Sequence, residues 1–290
     1  MIRGTTAVIA IIGHPVAHSL SPVLHNSAFM EAGLDFVYIA FDVRDLEGAV
    51  TGVQALGIQG LSVTMPHKSA IIPLLDRVDP AAEAIGAVNT VVLDAGKLCG
   101  YNTDTEGVVA ALEESGESLE AGRCLILGAG GAARAAAFGI AERYPQEMLV
   151  IAARDSQKAT LLAEELASFT GLQVEGFALH SAQFAEMLRE ATLVVNATSV
   201  GMGGEGCLIR GDDFKADAIY FDIVYTPIET PFIRRARDAG AVTVTGERMF
   251  LWQAVAQFTL WTGARAPVAL MEKRLLTAIR IEDSWQKKEI

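Results

Sequence analysis

The chain has 290 residues, 51% of them apolar and 20% charged, with a formal net charge of −12 and a sequence pI of about 4.9. This length exceeds what a single hydrophobic core usually serves, so two domains are expected. The acidic balance argues against nucleic acid or an anionic membrane as the main partner, whereas small anionic ligands need only local positive charge.

Residues 7–12 form an apolar run that meets Gly13 and Pro15. The run is too short for a signal h-region or a membrane span, and it predicts a buried strand. Residues 22–31 read as a helix closed by Gly33, with Ser21 suited to the N-cap and Pro22 to the first turn. Residues 36–41 predict a strand, 46–56 a helix and 61–64 a short buried strand. Residues 87–93 and 98–100 flank Asp94-Ala95-Gly96, which is a hairpin pattern. Strands alternating with helices predict a largely parallel open sheet.

From Thr105 a helix leads to a second module. There residues 124–127, 148–152, 193–196 and 218–222 read as buried strands separated by helices, the pattern of a doubly wound nucleotide domain. After Gly246 the chain turns helical through Trp261, a second helix runs from about 267 to 281, and the polar tail 282–290 is expected to fray. Cys99, Cys124 and Cys207 are far apart and odd in number, which predicts a reduced, cytoplasmic protein with no disulfide framework. The five histidines show no metal-ligand spacing, so no metal is expected.

The most specific local signal lies at the head of the second module. The run 123–127 feeds into Gly128, Gly130 and Ala133, the G-x-G-x-x-A spacing of a dinucleotide-binding turn. Gly128 permits the tight turn, Gly130 leaves room for a pyrophosphate, and Ala133 lets helix and strand pack closely. The following helix N-terminus offers free N–H groups and partial positive charge to the anion.

Four polar clusters sit at predicted strand ends, where open α/β sheets place ligands. In His18-Ser19-Leu20-Ser21-Pro22, capping accounts for Ser21 and leaves Ser19 without a structural role. In Ser62-Val63-Thr64-Met65-Pro66-His67-Lys68, the lysine directly follows a buried strand. A solvated surface charge is the plain reading of such a lysine, and a proton donor is the functional one. Asn89 follows Gly86-Ala87-Val88 and suits either a turn or a ligand contact. Thr103 and Glu106 have capping-box spacing, with Asp104 placed to favour the helix dipole.

Read together, these segments resemble the shikimate dehydrogenase family. The elements H-S-x-S-P, V-T-x-P-H-K, G-A-V-N-T, N-T-D and G-A-G-G-A-x-x-A occur in order, followed by N-A-T-S-x-G-M at 196–202. Asp222-x-x-Tyr225-x-Pro227 with Thr230-Pro231, and Met249-x-x-x-Gln253, complete a likeness spanning about residues 8 to 280. The resemblance implies an N-terminal open α/β substrate domain plus a doubly wound Rossmann-type NADP domain. Residues 1–105, joined by 247–290 through returning C-terminal helices, would bind substrate, and 106–246 would bind NADP. It also implies NADP-linked reduction of 3-dehydroshikimate to shikimate, with substrate held between the domains and a monomer or homodimer as the assembly.

Carried over by position, Ser19 and Ser21 would hold the substrate carboxylate, with Tyr225 reaching the same side. Thr64, Lys68, Asn89, Asp104 and Gln253 would surround the ring hydroxyls, Lys68 and Asp104 being catalytic. Gly128, Ala129, Gly130, Gly131, Ala132, Arg154, Thr198, Ser199, Gly246 and Met249 would contact the cofactor.

Three departures qualify the likeness. Ser62 stands where many family members carry asparagine, the loop 203–207 is unusually glycine-rich, and Ala153-Arg154-Asp155 stands where N-R-T is frequent. Arg154 favours the 2′-phosphate of NADP, whereas an inward Asp155 would repel it and favour NAD. The nearest rival reading is a quinate/shikimate dehydrogenase using NAD. A non-catalytic NADP-sensing protein on this scaffold is the remoter one, disfavoured because Lys68 and Asp104 are both present.

Overall fold

The computed structural model describes residues 2–119, 122–144 and 146–286. They divide into two compact units, one comprising residues 2–103 and Gln253–Arg280, the other Asp104–Trp252 and the residues from Ile281 onward. The chain thus passes between units at 103/104, 252/253 and 280/281, where the sequence predicts 105/106 and 246/247 with the first unit keeping everything from 247 onward.

The first unit opens with β1 (Ala7–Gly13), α1 (Ser21–Glu31), β2 (Phe36–Asp42), α2 (Leu46–Leu56) and β3 (Gly60–Val63). It continues with β4 (Arg77–Val78), α3 (Pro80–Ile85), β5 (Thr90–Asp94) and β6 (Lys97–Tyr101). Helix α2 is capped by the Asp45 side chain and closed by Gly57 in the left-handed conformation, which explains its sharp limits. Among the described residues the strands form one sheet in the order β2-β1-β3-β5-β6-β4.

This sheet is rich in parallel pairings, as expected, but one strand makes it mixed. Strand β1 runs parallel to β2 and β3, and β4 parallel to β6, but β5 is antiparallel to both of its neighbours. The cause is the hairpin itself. Ala95 and Gly96 have φ of 48° and 78°, and a two-residue turn can join only antiparallel strands. Buried Ala10, Ile12, Leu61, Val63, Val88 and Val91 form the core between this sheet and α2 with α3.

The second unit contains α4 (Asp104–Glu114), β7 (Arg123–Leu127), α5 (Gly131–Arg143), β8 (Met148–Ala153), α6 (Ser156–Thr170) and β9 (Val174–Ala178). There follow α7 (Ala182–Glu190), β10 (Leu193–Asn196), β11 (Ile219–Asp222), α8 (Pro231–Asp238), β12 (Val242–Val244) and the start of α9 (Gly246–Thr262). Its strand order is β12-β11-β10-β7-β8-β9 with parallel pairing throughout, a doubly wound Rossmann-type sheet. Ala133, Ala135, Ala136 and Ala137 of α5 are fully buried, and their small side chains allow close helix–sheet approach.

Helix α9 begins in the second unit and ends in the first, and α10 (Val268–Gln286) follows. Helix α10 continues through 282–286, part of the tail expected to fray, because no breaker follows Ile281; residues 287–290 of that tail lie outside the described residues. Among the described residues, no helix is long and apolar enough to cross a membrane.

Candidate active site

In the first unit, the backbone gathers the Thr64, Lys68 and Asn89 segments at the strand-end edge of the sheet, where the interior strands β1 and β3 finish and β5 begins. Thr64 N–H donates to Ile12 C=O, Val63 N–H donates to Asn89 C=O at 2.7 Å, and Val88 N–H donates to Lys68 C=O at 2.8 Å. Thr64, Lys68 and Asn89 are therefore carried by segments bonded to one another. Lys68 and Thr64 are partly buried, and Asn89 is buried.

Ser21 does not cap α1. It is already the first helical residue, Leu20 holds the cap position, and no side chain caps there. Pro22 fixes the backbone of the opening turn without that help, so the buried Ser21 hydroxyl lies beside the Tyr38 phenol instead. Ser19 is partly exposed, and its hydroxyl accepts from Ser21 N–H at 3.3 Å.

Beneath this edge runs a buried polar chain. Tyr38 donates to Ser62 Oγ at 2.6 Å, and Ser62 donates to Gln257 Oε1 at 3.0 Å. Gln257 Nε2 donates to Thr90 Oγ1 at 3.0 Å and to Asn89 C=O at 3.3 Å. Thr90 donates to Asn89 Oδ1 at 2.7 Å, and Asn89 Nδ2 donates to Thr103 Oγ1 at 3.0 Å. Burial holds the Tyr38 phenol far above its ordinary pKa, so it is a permanent donor.

The His25 ring stacks on Tyr38 at 4.7 Å and meets Trp261 edge-on. Burial, opposed in part by Gln257, lowers the His25 pKa to about 3 and keeps the ring neutral. Thr103 N–H, the donor that a capping box would turn toward Glu106, donates to Asn89 Oδ1 at 2.8 Å. Gln253 is buried on α9, one turn before Gln257.

Sequence reasoning missed Tyr38, Thr90 and Gln257. The Gln253/Gln257 pair, four apart among the mostly apolar buried positions of α9, is the signal that could have found them.

In the second unit, Asp104 is buried and opens α4. Tyr225 packs against Phe250 at 4.6 Å, and burial, aided by Glu282, pushes its phenol up to about 12. The glycine turn has the form a pyrophosphate needs. Gly128 has φ of 115°, and a Cβ there would lie 2.9 Å from Ala197 C=O, so only glycine fits. Gly130 holds the N-cap position of α5 with open space where its Cβ would be. Ala129, Gly131 and Ala132 are partly exposed around that helix N-terminus.

Arg154 follows β8, is exposed, and makes no hydrogen bond or ion pair among the described residues. Asp155 is occupied elsewhere. It is the N-cap of α6, accepting from Gln157 N–H at 3.1 Å and Lys158 N–H at 3.3 Å. These features fit a phosphorylated dinucleotide.

Thr198 shapes its own loop, donating to Asn196 Oδ1 at 2.7 Å and accepting from Val200 N–H at 3.1 Å. Ser199 is exposed beside it. Asn196 in turn donates to Asp222 at 2.9 Å, and Thr230 donates to the other Asp222 oxygen at 2.5 Å. Burial dominates these bonds and raises the Asp222 pKa to about 6. Gly246 starts α9, and Met249 is buried in its first turns.

Two family models match the chain, the shikimate dehydrogenase substrate-binding domain over residues 11–91 and the shikimate 5'-dehydrogenase C-terminal domain over 246–276. The chain is 46% identical to the shikimate dehydrogenase (NADP(+)) of Methanopyrus kandleri, with 96% of this chain and 98% of that one covered. It resembles the shikimate 5-dehydrogenase of Thermus thermophilus in complex with NADP(H) and shikimate at 38% identity. The TM-score is 0.84, with 94% and 99% coverage. A quinate dehydrogenase of Corynebacterium glutamicum in complex with NAD is also similar, at 33% identity and a TM-score of 0.88, with 94% and 99% coverage.

Proposed function

The chain belongs to the shikimate dehydrogenase family, and from that premise we propose that it catalyses the reversible NADP-linked reduction of 3-dehydroshikimate to shikimate. The observation that carries the reading is the convergence of Thr64, Lys68 and Asn89 on mutually bonded segments at one sheet edge.

The residues have chemically distinct tasks. NADPH, when bound, supplies a hydride to the carbonyl carbon. Lys68 gives a proton to the carbonyl oxygen and its charge stabilises the developing alkoxide. Asp104 accepts from a ring hydroxyl, and Thr64, Asn89 and Gln253 fix the ring's remaining hydroxyls. Ser19 and Ser21 receive the carboxylate, with Tyr225 on the same side. The turn from Gly128 to Ala132 with the α5 N-terminus holds the pyrophosphate, and Arg154 pairs with the 2′-phosphate. Thr198, Ser199, Gly246 and Met249 complete the cofactor's surroundings.

The free thiols of Cys99, Cys124 and Cys207 accord with a cytoplasmic location, and a monomer or homodimer is the assembly we assign. The test is steady-state oxidation of shikimate and of quinate, each with NADP and with NAD. Shikimate with NADP should give the highest kcat/KM of the four. A higher value for quinate with NAD would replace this reading with that of the Corynebacterium relative.

A further inference from the structure

Two backbone groups dictate the direction of the hydrogen bonds that pass through Gln257, Ser62 and the Asn89 amide in the buried chain beneath the sheet edge. Asn89 C=O can only accept, so the Gln257 group facing it at 3.3 Å is the NH2, and Oε1 must face Ser62. Ser62 therefore spends its single proton on Gln257. Tyr38, also with a single proton, donates that proton to Ser62. At the other end, Thr103 N–H can only donate, which turns Asn89 Oδ1 toward it and Thr90. Ser62 is left with one lone pair and no proton to offer.

The placement relates this chain to the substrate residues. Ser62 and Thr64 are two apart across the end of β3 and share a face, and Gln253 and Gln257 are four apart on α9 and share a face. On both elements the buried pair lies one repeat deeper than the residues assigned to substrate.

We infer that Gln257 is a positioning residue for substrate recognition, orienting Ser62 as an obligate hydrogen-bond acceptor toward a substrate hydroxyl and anchoring the Asn89 segment through Thr90 and the Asn89 carbonyl. This rests on the function proposed above. Gln257 contacts neither the reacting atoms nor the cofactor in this scheme; it acts through Ser62 and Asn89.

The test is a double-mutant cycle on the full chain, read as shikimate oxidation with NADP for wild type, Gln257→Met, Ser62→Ala and the pair. Each single variant should raise the shikimate KM about 5- to 10-fold, with kcat and the NADP KM within about twofold of wild type. The pair should exceed the worse single variant by no more than about twofold, because both remove the same interaction. Thr90→Val, isosteric and lacking only the relay hydroxyl, should give the same signature and serves if Gln257→Met does not fold.

Multiplying effects, a silent Ser62→Ala, a loss confined to kcat, or an equal rise in the NADP KM would each overturn the inference while leaving the enzyme's function intact. An absence of shikimate turnover in the wild type would overturn both.

Discussion

In the proposed reaction, one ammonium group carries the proton transfer, that of Lys68, on a segment tied to Val88 by a 2.8 Å backbone bond. Its contribution should appear as charge builds on the substrate oxygen and scarcely before. Lys68→Ala is therefore expected to lower kcat about 100-fold or more with little change in shikimate KM, measured by steady-state kinetics. A normal kcat with a raised KM would reduce Lys68 to a binding group. The same economy of donors and acceptors governs Asn89, whose Oδ1 takes both the Thr103 N–H and the Thr90 hydroxyl.

At the scale of elements, the turn from β8 into α6 separates two adjacent charges by function. Arg154 is exposed without a partner among the described residues, whereas Asp155 caps the helix. Arg154→Ala should weaken NADP binding by about 1.5–3 kcal/mol and leave NAD binding nearly unchanged, as read by cofactor titration. Asp155→Ala should cost about 0.5–2 kcal/mol of stability through the lost cap, and Asp155→Ser should keep the cap while easing NADP binding. Equal losses of both cofactors on Arg154→Ala would show that the arginine shapes the turn without reading the phosphate.

The same scale shows what the sequence discloses. The central strands β7, β8, β10 and β11 are buried on both faces and read as continuous apolar runs, so they were legible. Edge strands β9 and β12 are only partly buried, and β4 has two residues, so none carries that signal. The candidate site is read in the sequence where it is written as local motifs. Tyr38, Thr90 and Gln257 were not, because their partners lie as far as 195 positions away in sequence.

At the scale of the molecule, two buried ionisable groups, one in each unit, oppose each other in their response to pH. His25 falls from 6.5 to about 3 on folding, so between those values the unfolded chain holds the extra proton and stability rises with pH. Asp222 rises from 3.8 to about 6, so over that interval the folded chain holds the extra proton and stability falls with pH. Each slope is about 1.4 kcal/mol per pH unit, and they oppose one another between about pH 4 and 6. His25→Phe should remove the first slope, making stability fall with pH across this window relative to wild type. Asp222→Asn should do the reverse. Denaturant unfolding at several pH values checks both, and parallel curves for all three proteins would refute the assignment.

The division of the chain also has a consequence for its birth on the ribosome. The first unit is interrupted: Gln257, Phe258 and Trp261 of α9, which meet Ser62, Phe29 and Val91, are made only after the whole of Asp104–Trp252. At 5–20 residues per second, roughly 7 to 30 seconds separate the two parts. Through that interval the N-terminal sheet lacks the helix that covers Tyr38 and His25, so a nascent chain exposes an unfinished aromatic face while the nucleotide unit completes itself. Holdase chaperones bind such surfaces, and substitutions that slow the docking of α9 lengthen this exposure even where the finished fold tolerates them.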